Sequence, residues 1–507
     1  METNERIAHA LEEARGVSDE GIISSHKLSV KSREIMTNAG FLERIVRGWY
    51  MLVSPESSGS TTSWFSMYWP FVRQYLAERF GKEGYCLSPQ SSLDVYTGET
   101  TIPAQMIILT RKNSNTTVQL PHGISLMLYQ DDKAMPETLH NVHGISLMPL
   151  PFAIVKASPS YYQNKAQNIE IALSMVESVS DISRVLIDTG SIAAAERVAG
   201  AYLETGNSPA SQTVINDMKL AGYSVKPVNP FAEFIPSIGA GGFRSPYSPR
   251  IITMWSKFRS DVIELFPEPS IATQDIGTET ILTSIREKVN EDAYHSLSIE
   301  GYRVTEDLIE RIRSGEWNPE ADRYDNNQRN ALAAKGYSRA YDAVLKSVKT
   351  ALDGGNSGSI FKESLPEWYR ELFYPLVQAG ILTAPDIVGY RRNPVYIKDA
   401  MHIPPPYESV VDAMETFFEL LKGEKNGAVR AVLGHYFFVY IHPYMDGNGR
   451  IARFLMNLML VSSGYPWTII RVTERIEYMK SLDFAATDKD IKPFTGIIIK
   501  EMEAAMV

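Results

Sequence analysis

Apolar residues recur at helical spacing from the start of the chain, at Ile7, Leu11 and Ala14, until Gly16-Val17-Ser18 interrupts them. A second helix is expected from Asp19 or Glu20. A third should follow with Ser29 as its cap and Ile35 and Met36 among its apolar positions. Asn38-Ala39-Gly40 supplies helix-stop chemistry. Phe41 to Val46 and Trp49 to Leu52 are β-rich runs flanking Arg47-Gly48. Helix, helix, helix, hairpin over residues 1–53 predicts a winged helix-turn-helix.

Beyond a Ser/Gly/Thr-rich linker from Ser54 to Thr62, residues 63–235 mix two periods, as in an α+β domain. Met106 to Thr110 and Ile124 to Leu128 read as strands, and 165–178 and 192–204 as helices. Glycines and two Ser-Pro steps mark 236–249 as a linker. From 250 to 507 the pattern is helical. Thr280 to Ile299 forms one candidate, with an end at Glu300-Gly301. Further helices cover 325–352, 362–379, 407–422 and 425–440. Tyr390 to Ile397 reads as extended, and Pro404-Pro405-Pro406 as a rigid stop. The expected fold is mainly α, with an all-helical C-terminal half behind the two smaller domains.

Length and charge change this picture little. A chain of 507 residues fits about three domains. With 50 basic and 60 acidic residues the net charge is −10, which excludes a globally basic nucleic-acid binder but not a local basic face. Such a face is expected at residues 27–47, where Lys27, Lys31, Arg33, Arg44 and Arg47 outnumber Glu34 and Glu43. Lys31, Ser32 and Arg33 would meet phosphates or base edges of DNA, a reading favoured over protein docking. DNA-reading winged helices pair on half-sites, so a homodimer is expected. The single cysteine, Cys86, excludes an intrachain disulfide and a Cys-based zinc site, in keeping with a reducing compartment. The polar, acidic N-terminus does not read as a signal peptide, and no apolar run nears the roughly 20 residues of a membrane span. The expectation is a cytoplasmic protein with no membrane partner.

The chemistry concentrates in His442-Pro443-Tyr444-Met445-Asp446-Gly447-Asn448-Gly449-Arg450-Ile451-Ala452-Arg453, between two apolar runs. Gly447, Asn448 and Gly449 can adopt positive φ and turn their N–H groups inward as an anion nest. The nest opens a helix, whose N-terminus also favours phosphate. Arg450 and Arg453 in the first turn are misplaced for the helix dipole unless an anion sits nearby, which argues for a polyphosphate. Asp446 is a hard oxygen ligand suited to Mg²⁺. His442 suits a general base near neutral pH.

This twelve-residue run resembles the signature of the Fic family, with Tyr444 where the family has Phe. The resemblance extends through Asn457 and Gly464-Tyr465-Pro466 to Arg475 and Tyr478, and upstream over Gly389-Tyr390-Arg391 to Pro406. It implies transfer of AMP from ATP to a Tyr, Thr or Ser hydroxyl of a target protein, with His442 as base and Mg²⁺ on Asp446. The Gly447–Gly449 backbone would cradle phosphate, Arg450 and Arg453 would neutralise the leaving pyrophosphate, and Tyr478 would lie near adenine. Val395, Tyr396 and Ile397 match the family's flap, which aligns the target by strand addition. Ser296-Leu297-Ser298-Ile299-Glu300-Gly301 resembles the inhibitory motif of N-terminally inhibited Fic proteins. Ser296 and Glu300 share a helix face at i and i+4. By that resemblance Glu300 pairs with Arg453 and blocks the γ-phosphate position. Removal of AMP, with Glu300 positioning a water, and transfer of another phosphate-containing group both stay open. The Phe41 to Leu52 stretch, with Tyr85 to Pro89 and Asn229-Pro230-Phe231, resembles AbiEi-type antitoxin regulators. That implies operator binding in a toxin–antitoxin setting. The competing reading is therefore a transcription regulator or antitoxin whose Fic half senses nucleotide without turnover.

Overall fold

The structure is a computed structural model that describes residues 3–55, 61–112, 115–232, 234, 236–238, 245–269, 277–314, 316 and 325–506. The expected linkers fall partly outside the described residues, at 56–60 and 239–244. Two compact units emerge: Met1–Arg250 with Tyr396–Ile403, and Ile251–Val395 with Pro404–Val507.

The first unit begins with α1 (Thr3–Val17), β1 (Ile22–Ser24), α2 (Val30–Asn38), β2 (Leu42–Val46) and β3 (Trp49–Leu52). The strands form an antiparallel sheet in the order β1-β3-β2, with Ile22 opposite Met51 and Leu42 opposite Leu52. Ser29 caps α2, its hydroxyl accepting from Ser32 N at 3.2 Å. The helix expected from Asp19 or Glu20 is absent, and β1 occupies its place. Glu20 and Gly21 turn the chain at φ 49° and 81°. The β-branched Ile22 and Ile23 are then both buried in a strand paired with β3. Residues 3–53 are thus helix, strand, helix, hairpin.

An aromatic helix follows, α3 (Thr61–Phe80), then β4 (Tyr85–Leu87), α4 (Pro89–Tyr96), β5 (Gln105–Thr110), β6 (Thr116–Gln119) and β7 (Ser125–Gln130). The sheet runs β4-β5-β7-β6, and its apolar central pair β5–β7 is parallel, Met106 opposite Leu126. A hairpin joins β8 (His140–Val142) to β9 (Ile145–Leu147). Ile22, Trp49 and Met51 share one core with Trp64, Phe71, Leu126 and Leu147, so a common core crosses the boundary drawn at residue 53. A second core lies among α5 (Leu150–Lys156), α6 (Pro159–Asn164), α7 (Ala166–Ser174), α8 (Val179–Thr189), α9 (Ile192–Glu204) and α10 (Ser208–Leu220). It includes Cys86, whose thiol burial pushes up to about 12, leaving it unreactive.

The helix α11 (Tyr247–Leu265) runs into the second unit. There follow α12 (Thr278–Glu287), α13 (Val289–Ile299), α14 (Glu306–Ser314), α15 (Asp325–Leu352), α16 (Ser357–Gln378), α17 (Val410–Gly423), α18 (Gly427–Ile441), α19 (Asn448–Val461), α20 (Arg475–Thr487) and α21 (Lys492–Ala504). No strand occurs here among the described residues, and the fold is mainly α. Lys288 splits the helix expected over 280–299 into α12 and α13. Each buries its own apolar stripe, Leu282 and Ile285 on one and Val289, Ala293 and Leu297 on the other. The central hairpin α18–α19 is buried on nearly every side, which explains why its sequence is apolar all round. Among the described residues no helix is long and apolar enough to cross a membrane.

Candidate active site at the α18–α19 loop

The helix α18 stops at His442, which takes left-handed φ 52° and ψ 60° and is followed by Pro443. The loop is then stapled by Asn448. Its Oδ1 accepts from Tyr444 N at 3.0 Å, and its Nδ2 donates to Tyr444 O at 2.8 Å. Tyr444 stacks on Tyr369 with centroids 3.7 Å apart, so the aromatic at this position packs the loop onto α16. Of the three residues expected to adopt positive φ only Gly447 does, at 83°. A Cβ there would come within 2.8 Å of Phe373. Asn448 and Gly449 are the first residues of α19, so their N–H groups are helix-start donors directly behind the left-handed Gly447.

His442 Nδ1 lies 3.1 Å from the Val439 carbonyl, which can only accept, so the proton sits on Nδ1 and Nε2 keeps its lone pair. Burial pushes its pKa down to about 4, the Val439 carbonyl resisting and the Arg391 charge adding. The imidazole is therefore neutral at physiological pH. Arg391, 5% exposed, fixes this corner. Its Nε donates to His442 O at 2.8 Å, and its Nη2 reaches Ile441 O and Pro405 O. A cation on the last carbonyls of α18 complements the helix dipole.

Arg450 and Arg453 are 1% and 3% exposed. The Arg450 guanidinium lies between the rings of Tyr302 (5.3 Å) and Phe373 (5.1 Å), with Asp446 Oδ1 3.2 Å from its Nη2. Arg453 Nε donates to Ser296 Oγ at 2.8 Å. Its Nη2 donates to Ser296 O at 3.0 Å and to Glu300 Oε1 at 2.7 Å. Burial opposes the Arg453 charge, but Glu300 outweighs it and holds the pKa above the usual arginine value. Arg450 Nε and Arg453 Nη1 find no hydrogen-bond acceptor among the described residues. Ser296 is buried on α13, and Glu300 caps that helix beside Gly301, whose φ is 88°. The carboxylate lies so close to Gly449 that a Cβ there would come within 2.3 Å of Glu300 Oε1. A cavity of about 590 Å³ opens here. Glu300, Gly301 and Asp446 line it from the motif side, and Tyr302, Arg303, Arg329 and Asn330 from the other.

Residues 363–460 match the Fic/DOC family. The match spans α16 to α19, including His442 to Arg453, and leaves Ser296–Gly301 outside. A protein from Nematostella vectensis named protein adenylyltransferase Fic is 31% identical over 232 residues, 44% of this chain and 49% of that protein. One of the same name from Drosophila mojavensis is 40% identical over 113 residues, 22% of each. The chain thus spans about half, or less, of the curated relatives it matches. A solved structure of Fic-1 (residues 134–508) from C. elegans is similar at 22% identity and TM-score 0.37, covering 69% of this chain and 92% of that one.

Several other expected residues do not line this cavity. Tyr478 is 1% exposed, its hydroxyl lies 2.7 Å from His435 Nε2, and the Arg453 charge bears on the same hydroxyl. Residues 391–397 hold no helix and no ladder. Val395 is buried and counted with the second unit, whereas Tyr396 and Ile397 belong to the first. In the first unit Lys27, Lys31, Arg44 and Arg47 are exposed, but Arg33 is partly drawn in, its Nη1 donating to Ser25 O at 3.3 Å. Ser32 is buried with its hydroxyl held by Glu13, which removes it from the DNA-facing set. Sequence reasoning missed Arg391 as the clamp on His442, and Asp292. Asp292 is buried one turn before Ser296 and accepts from Trp467 Nε1 at 3.2 Å. Burial raises its carboxyl to about 7. Its i, i+4, i+8 spacing with Ser296 and Glu300 was the available signal.

Proposed function

We propose that the chain transfers AMP from ATP to a Tyr, Thr or Ser hydroxyl of a target protein. The observation that carries this reading is the pair of buried arginines at the start of α19. Each has an N–H that no described group accepts, beside a cavity sized for a small ligand. Unaccepted buried guanidinium donors at a helix N-terminus ask for an anion with several oxygens.

The target oxygen attacks the α-phosphorus and forms the new O–P bond. The bond from that phosphorus to the oxygen bridging the β-phosphate breaks, and pyrophosphate leaves with the electron pair. The hydroxyl proton passes to His442 Nε2, the free lone pair of a neutral imidazole. The α19 N–H groups, Arg450 and Arg453 offset the charge on the phosphates. Asp446 fits a divalent cation of the Mg²⁺ type. It is a single half-exposed carboxylate at the cavity, and Mg²⁺ takes one or two carboxylates with phosphate oxygens. The ion would supply further charge neutralisation on the phosphates.

Glu300 holds Arg453 in the resting chain and so acts as a brake. Val395, Tyr396 and Ile397 serve as the segment that aligns the target backbone. Removal of AMP by a water set by Glu300 is the reverse-direction alternative, separated by assaying both directions in Glu300→Gly. ATP-dependent self-labelling of wild type, Glu300→Gly and His442→Ala tests the transfer. His442-dependent labelling supports it, and ATP binding without labelling in any variant favours a nucleotide-sensing regulator.

A role on DNA is a second reading. It is favoured by Lys27, Lys31, Arg44 and Arg47, which are exposed and form no ion pair among the described residues. The working reading is a cytoplasmic homodimer bound to its own operator. A shift assay on its own upstream DNA against unrelated DNA at stated salt tests this, and equal affinity for both would contradict it.

A further inference from the structure

Of the four charged residues lining the cavity, the two carboxylates are already committed. Glu300 is held by Arg453, and Asp446 by Arg450 and by the Gly447 N–H. The two cations, Arg303 and Arg329, form no ion pair among the described residues, and neither belongs to the motif. The charge left over in the cavity is therefore positive, and it sits on the rim away from α19.

This rim has fixed geometry. Arg303 N donates to Asn330 Oδ1 at 3.3 Å, tying the segment after α13 to α15 next to Arg329. One residue earlier, Tyr302 carries the Arg450 guanidinium on its ring. The backbones bearing Arg303 and Arg329 are thus pinned to each other and to the motif, while both side chains are exposed and can turn toward a ligand. Two arginines on a pinned rim can bind the oxygens of two adjoining phosphates.

We infer that Arg303 and Arg329 form a second anion subsite, which takes the two terminal phosphates of the nucleotide while Glu300 occupies Arg453. In that braked state Glu300 takes the Arg453 Nη2 that a phosphate would otherwise meet, and Arg303 and Arg329 are the only cations lining the cavity among the described residues without a carboxylate partner. A nucleoside triphosphate would stay bound with its terminal phosphates away from α19. Once Glu300 withdraws, the phosphates can move to Arg453. The ligand class is a pyrophosphate group, free or as the tail of a nucleoside triphosphate. The inference rests on the proposed function for its biological meaning, but its binding test does not need turnover.

The test is calorimetric titration of inorganic pyrophosphate, and separately AMP, into the full chain as wild type, Arg303→Ala, Arg329→Ala and His442→Ala. Far-UV circular dichroism and melting confirm folding, which substitutions of two exposed side chains should leave intact. Wild type and His442→Ala are expected to bind pyrophosphate alike. Each arginine variant should weaken it roughly 10-fold, the loss expected for one charge-assisted contact, with AMP binding unchanged. Arg303→Lys and Arg329→Lys should recover part of the loss. Pyrophosphate affinity unchanged in both alanine variants, or no binding to wild type, would overturn the inference. Arginine-dependent binding with no labelling in any variant would sink the transfer reading and leave the subsite standing. His442-dependent labelling with arginine-independent binding would do the reverse.

Discussion

Replacing Glu300 by glycine removes the carboxylate bonded to Arg453. The helix itself should tolerate it. Glu300 is the C-cap residue of α13, a carboxylate there opposes the helix dipole, and glycine is at home at a helix end. The cost falls on Arg453, 3% exposed, which keeps its two bonds to Ser296 while Nη1 lacks an acceptor among the described residues. Stranding a fully buried charge costs about 3–5 kcal/mol. Here the Glu300 side chain is 23% exposed and the cavity admits water, so about 1–3 kcal/mol is the fitting range. The same energy ceases to compete with phosphate for Arg453, which corresponds to roughly 5- to 150-fold more productive ATP binding. The assay is paired: melting with and without ATP and Mg²⁺, and AMP incorporation by mass spectrometry. Glu300→Gly should melt lower than wild type when free, gain more from ATP, and incorporate more AMP. Equal incorporation, or an ATP-induced melting shift no larger than that of wild type, would refute the reasoning.

Three further outcomes follow from the same geometry. With His442 at about 4 rather than its usual value, the transfer rate in Glu300→Gly should show no loss from His442 protonation between pH 8 and pH 6. An acid limb centred near the ordinary histidine value in a pH–rate profile would contradict this. Asp292 has a folded pKa raised to about 7. Its protonated form favours the folded state fully below the unfolded carboxyl value, and this contribution is lost as pH rises through about 7. Melting of wild type should therefore fall between pH 5 and pH 8 more steeply than that of Asp292→Asn, and parallel curves would count against it. Gly449→Ala sets a Cβ against Glu300 Oε1. It should lower stability in wild type by more than in the Glu300→Gly background, with a coupling of about 1 kcal/mol in a double-mutant cycle. Additive effects would show that the two residues do not touch.

The α18–α19 loop was legible because its composition is local: a histidine, a carboxylate, glycines and two arginines lie within twelve residues. Helix α15 was legible from its long helical periodicity, and α18 from an apolar run too long for a strand. What escaped was decided by partners distant in sequence. The segment after Gly21 reads equally as helix or strand until β3 lies beside it, and two buried isoleucines settle the choice. Ser32 looked like a DNA contact on charge pattern, but Glu13, nineteen residues earlier, takes its hydroxyl. His435 on α18 meets the Tyr478 hydroxyl across 43 positions, a contact that no local spacing announces. Arg391 lies 51 positions before the histidine it clamps, and no local spacing announces that contact.

The central claim is transfer of AMP through His442 under the restraint of Glu300. Intact-mass spectrometry of the full chain after incubation with ATP and Mg²⁺ tests it most directly, comparing Glu300→Gly with Glu300→Gly/His442→Ala. An AMP adduct in the first and none in the second is the predicted result. An adduct that persists without His442, or none in either despite bound ATP, would contradict it.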